Sequence, residues 1–178
     1  QCNGKFKGKD KCDTPHLTEE AIQRKFLAAF NELLENRDFI LEDTKELMAR
    51  LTDTSRLEDE AADLRNEMAG VSQSVRALID RNARSGVEQG EYEREYQGMT
   101  ERFAELEKRL KGREAECDRR RIQRSALIGF LKAVKSTKAP IADFTPQLWN
   151  ALVEKATVNA DGSMVFTFRN GIEIKQKP

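Results

Sequence analysis

Residues 57–78, LEDEAADLRNEMAGVSQSVRAL, set Leu57, Ala61, Leu64, Met68, Val71, Val75 and Leu78 at steps that alternate four and three. Apolar side chains with that spacing fall on one narrow line down a helix, the seam of a coiled coil. The polar run 82–90, with Ser85-Gly86 inside it, ends the pattern and supplies residues that tolerate a chain reversal. Residues 92–110, YEREYQGMTERFAELEKRL, then repeat the alternation through Tyr92, Tyr96, Met99, Phe103, Leu106 and Leu110. Two apolar seams joined by a short turn fold back antiparallel, because each needs cover and the link allows no other neighbour. This spacing sets Val75 near Tyr96 and Leu64 near Leu106. At a rise of 1.5 Å per residue, about 45 residues per arm give a hairpin roughly 65 Å long.

Outward from this centre the seam weakens. Ile40, Leu47 and Leu51 continue it on the N-terminal side, and a three-residue stutter at Thr54–Leu57 predicts a local change of supercoil. On the other arm Arg113, Cys117, Arg120 and Arg124 take or flank seam positions opposite Thr54, Leu51 and Leu47, so a looser base than tip is expected. Leu127, Ile128, Phe130, Leu131 and Val134 restore an apolar face before residues 136–140 end the helix at Pro140.

The ends read differently. Residues 1–17 are rich in Gly, Lys, Asp and Pro and read as loop with at most short strand. Thr18 is placed to cap a helix with Glu19 and Glu20 in its first turn, and Ile22, Phe26, Leu27, Phe30, Leu33 and Leu34 give it a broad apolar face. Thr145-Pro146 starts a short helix through Leu148, Trp149, Leu152 and Val153. Val158, residues 163–169 and residues 172–175 are β-prone, and Asp161-Gly162 and Asn170-Gly171 between them favour tight turns. A small meander packed on the first helix and Trp149 follows. The expected fold is therefore mainly α, a long antiparallel coiled-coil hairpin inserted in a small α+β domain. Its boundaries are 1–37, an arm over 38–138 turning near 83–90, and 139–178 completing the small domain.

Composition agrees with an elongated helical chain. Of 178 residues 35 % are charged and 7 % aromatic, and the mean hydropathy is -0.71, too polar for one large round core. The 31 basic and 31 acidic side chains cancel, so any attraction to nucleic acid comes from a local cluster. Three cysteines at irregular spacing make a poor disulfide framework and suit a reducing, cytoplasmic setting. No run approaches the roughly 20 apolar residues of a membrane span. There is no initiator Met, and Cys2 lies almost at the start, so the sequence reads as a piece of a longer protein.

Chemistry-bearing groups are few. Cys2 and Cys12 could be half of a zinc ribbon, or two reduced surface cysteines. Lys5, Lys7, Lys9 and Lys11 recur every second residue, which in an extended strand points all four to one side. They could grip phosphates or simply form a solvated basic loop. Cys117 reads as a small seam filler. With one His and no glycine-rich phosphate loop, catalysis has little to stand on. Tyr92 and Tyr96 fit the seam, with partner anchoring as the alternative.

The run from Cys2 to Glu20, CNGKFKGKDKCDTPHLTEE, resembles the second half of the zinc ribbon of large serine recombinases. The stretch from Trp149 to Ile174, with Phe166-Thr167-Phe168-Arg169-Asn170-Gly171, is similar to the close of the same domain, and that family carries a long coiled-coil hairpin between the two parts. The resemblance spans the chain and is strongest at both ends. It implies that Cys2 and Cys12 are two of four zinc ligands, with the other pair upstream. It implies that Lys5, Lys7, Lys9, Lys11 and Arg169 face attachment-site DNA. The arm would contact neighbouring subunits, or a directionality factor, through Ser85, Gly86, Val87 and Tyr92. The chain itself would not cut DNA, because the catalytic serine domain would lie elsewhere in the parent recombinase. The rival reading is a coiled-coil scaffold or spacer without DNA affinity.

Overall fold

The computed structural model describes residues 14–86 and 88–178. Its helices are α1 (Glu19–Glu35), α2 (Arg37–Leu51), α3 (Ser55–Ser85), α4 (Gln89–Ser136) and α5 (Pro146–Leu152), followed by strands β1 (Val153–Val158), β2 (Met164–Phe168) and β3 (Glu173–Gln176). The described residues are mainly helical with one small antiparallel sheet. They fall into two compact units, one made of the described residues up to Leu51 with Arg124–Pro178 and one from Thr52–Gln123.

In the first unit the local signals act as read. Thr18 Oγ1 accepts from the Ala21 amide at 3.2 Å and caps α1. Thr145 Oγ1 accepts from Leu148 at 3.2 Å, with Pro146 in the first turn of α5. The strands pair in the order β1-β2-β3, with Val158 opposite Met164 and Phe166 opposite Ile174. Both turns use glycine where only glycine is relaxed, Gly162 at φ 80° and Gly171 at φ 87°. One difference appears here: Val153 starts β1 instead of ending α5.

The core of this unit lies between α1 and the sheet. Phe26, Phe30, Phe130, Phe166 and Phe168 are fully buried, with Leu33, Leu152 and Val134 around them. Phe26 lies at its centre, with ring centroids 5.1 Å from Trp149, 5.7 Å from Phe144 and 6.2 Å from Phe166. Ile128, expected on the apolar face, is half exposed; it lies one residue from the buried Leu127, and a helix turns about 100° per residue.

The chain breaks its helix twice, once at the expected start of the arm and once inside it. At Asn36 the backbone leaves helical angles (φ -109°, ψ 31°) and α2 starts anew. At Thr52–Thr54 the expected change of supercoil is instead a full interruption. Asp53 Oδ1 accepts from the Ser55 amide at 2.9 Å and its hydroxyl at 2.7 Å, a local turn that replaces helical bonding. Leu51, expected in the seam, is consequently 45 % exposed. The second compact unit therefore begins inside the 38–138 span read as one arm.

Within that second unit α3 and the part of α4 up to Gln123 lie side by side. Leu57, Ala61, Leu64, Leu78, Leu106 and Cys117 are buried, and Met68, Val71, Val75, Met99, Phe103 and Leu110 are partly so. Gly86, at φ 57°, takes the left-handed conformation that ends α3, its amide donating to the Asn82 carbonyl at 3.2 Å.

Candidate protein-interaction surface on the helix pair

Five ion pairs tie α3 to α4: Glu58–Arg121 at 2.9 Å, Glu60–Arg113 at 2.7 Å, Arg65–Glu114 at 2.6 Å, Glu67–Arg102 at 2.8 Å and Arg81–Glu95 at 2.6 Å. As the α3 number rises from 58 to 81 the α4 partner falls from 121 to 95, so the two helices run in opposite directions. Glu58 and Arg65 each follow a seam leucine and meet residues that follow seam positions on α4. Glu67 and Arg81 each precede a seam position and meet residues of the same kind. That like-with-like pairing on two flanks is the geometry antiparallel helices impose on charges beside a seam.

These pairs are solvent-exposed and set register more than stability. Their charges still leave a mark. The Thr54 hydroxyl, donating at 2.9 Å, and then Arg121 hold the Glu58 carboxyl below its usual range. Arg56 first and Arg113 after it do the same for Glu60. Arg121 is pushed up, chiefly by Glu58. Arg120 adds a hydrogen bond to the Asp53 carbonyl beside the helix break. The base read as looser thus holds a cluster of ion pairs around a hollow of about 350 Å³, lined by Ala61, Cys117 and the paired charges. Cys117 is 4 % exposed and fills the seam.

The sequence-marked site residues fare unevenly. Ser85 is exposed and its hydroxyl donates to the Arg81 carbonyl at 2.8 Å, while Gly86 beside it shapes the turn. Tyr92 is half-buried and stacks on Tyr96, centroids 6.0 Å apart. Tyr96, read as seam, is 42 % exposed, and the Tyr92–Tyr96 stack lies in the first two turns of α4, beside the turn. Arg169 belongs to the other unit, where its guanidinium donates twice to the Asn150 carbonyl, at 2.8 and 3.0 Å, and so serves the end of α5. Cys2, Cys12, Lys5, Lys7, Lys9, Lys11 and Val87 lie outside the described residues. Among the described residues no group of three or more His, Cys, Asp or Glu is placed to hold a metal, and no helix is long and apolar enough to cross a membrane.

The chain matches no family model, no curated protein and no solved structure.

Two features were not read from the sequence. One is Ile79, a large apolar side chain 45 % exposed on α3. Its signal was present, since it follows the seam residue Leu78 as Glu58 follows Leu57 and Arg65 follows Leu64. The other is a pair of amide clamps in the first unit. Asn31 Nδ2 donates to the Ile141 carbonyl at 3.0 Å and its Oδ1 accepts from the Ile141 amide at 2.9 Å. The buried Asn170 donates to the buried Thr44 hydroxyl at 3.1 Å. Both are contacts between distant residues, for which a single sequence carries no local sign.

Proposed function

We propose that this chain is the DNA-binding and synapsis-control region of a large serine recombinase. In this reading the small α+β unit is the ribbon-type domain that docks on attachment-site DNA, with zinc held by Cys2, Cys12 and two ligands upstream. The helices α3 and α4 form a coiled-coil arm that meets the arm of another subunit and helps decide which sites pair and in which direction recombination runs.

The observation that supports the arm reading is the antiparallel set of five ion pairs beside the buried side chains Leu57, Ala61, Leu64, Leu78, Leu106 and Cys117. It also argues for protein and against DNA as the partner of this unit. Arg65, Arg81, Arg102, Arg113 and Arg121 each already face a carboxylate of the opposite helix, so they form no free basic stripe for phosphates. A single arm contact needs only modest affinity, since subunits held on one synapse have a high effective concentration.

The coding sequence that precedes Gln1 tests the assignment directly. It is expected to encode a cysteine pair with ribbon spacing and, further upstream, a serine resolvase-like catalytic domain. If it encodes neither, the chain is a coiled-coil spacer and the recombinase reading falls.

A further inference from the structure

We propose that a second copy of this chain docks on the flank of α3 and α4 that carries Ile79, with α3 of one copy over α4 of the other and the two α3–α4 turns at the same end. This rests on reading the helix pair as an arm that meets another subunit. It adds the surface and the orientation.

The flank is marked by a change of chemistry along its length. Near the base it carries Glu58–Arg121 and Arg65–Glu114. Two heptads beyond Arg65 stands Ile79, and two heptads before Glu114 stands Thr100. So the position that held an ion pair now holds an isoleucine 45 % exposed beside a small polar residue. The exposed neighbours along the same flank, Ala83, Gln97 and Ala104, are small or uncharged. An isoleucine among small uncharged residues, with Arg76, Glu93 and Glu107 at the margins of the strip, gains nothing from water and fits another protein surface.

Charge selects the occupant and its orientation. On this flank α3 carries Arg76 and no carboxylate between residues 71 and 86, while α4 carries Glu93 and Glu107, one heptad to either side of Thr100. One helix of the pair is thus basic and the other acidic, so the surface complements itself. A two-fold axis running along the helices lays α3 of one copy over α4 of the other. An axis across them would lay α3 on α3 and α4 on α4, setting like charges face to face. In the favoured arrangement heights along the helices are kept. Arg76, three residues before Ile79, then stands level with residue 103 of the other copy, two residues from Glu101. Arg76 is exposed, and Glu101, also exposed, accepts a hydrogen bond from Gln97 Nε2 at 2.9 Å.

The test is sedimentation equilibrium of the full chain at low and at about 0.5 M salt, with helicity read by circular dichroism on every variant. The native chain is expected to form a dimer that weakens with salt. I79E and R76E should each weaken it roughly tenfold or more, and the double variant R76E/E101R should recover most of the loss. Gly70→Glu, on the opposite flank with open space at its Cβ, should leave the dimer unchanged. A chain that stays monomeric throughout overturns the proposal. So does a dimer indifferent to I79E and R76E, or a double variant no better than R76E. DNA affinity of the same variants separates this from the wider reading, because the flank can fail while DNA binding by the lysine row persists.

Discussion

At Asn31 one side chain stands in for a strand partner, donating to and accepting from the same residue, Ile141. Both bonds are partly buried, so truncation leaves two backbone groups without partners. Asn31→Ala is expected to cost about 2 kcal/mol in urea unfolding, while Thr18→Ala, which removes an exposed cap, should cost about 1 kcal/mol. Glu58 carries a pH signature. Its carboxyl lies below the usual 4.5 when folded, held there by the Thr54 hydroxyl and then Arg121. The stability this lends is full above the unfolded value and is lost as pH falls through the lower, folded one. Between pH 5 and about pH 3 the thermal midpoint of the native chain should therefore drop more than that of Glu58→Gln, and equal drops would contradict the assignment. At this scale the sequence was legible wherever the partner is near in the chain, as at Thr18, Thr145, Gly162 and Gly171. It was silent on Asn31 and Asn170, whose partners lie far along it.

Among the elements, α3 and α4 follow from the spacing of apolar residues, and the turn between them from Gly86. Its φ of 57° strains any side chain, so Gly86→Ala is expected to lose about 1 kcal/mol. Gly98, mid-helix with open space at its Cβ, should gain roughly 0.5–1 kcal/mol as alanine. Opposite signs for two Gly→Ala changes, read by thermal unfolding, would separate backbone conformation from helix propensity. The helix break at Thr52–Thr54 was misread as a stutter because apolar spacing reports which face is buried and not whether the backbone is continuous. Asp53 and Ser55, which make the break, are polar and invisible to that measure. Tyr96 and Ile128 show the same limit, since both were placed on an apolar face by spacing and type yet stand about half exposed.

For the molecule, balanced total charge conceals an uneven distribution. Five arginines of the helix pair are matched by carboxylates across it, whereas Lys5, Lys7, Lys9 and Lys11 crowd the first residues of the chain. The proposed function assigns DNA affinity to those lysines and not to the arm. The decisive measurement is the binding of duplex DNA as a function of salt, by the chain joined to the upstream ribbon half that the proposed function calls for, with zinc present. The logarithm of the binding constant should fall linearly with the logarithm of salt concentration, with a slope near -3 to -4 if about four phosphates are neutralised. Replacing the four lysines by glutamine should flatten that slope. Binding that is undetectable at low salt, or that does not respond to salt, would contradict the account.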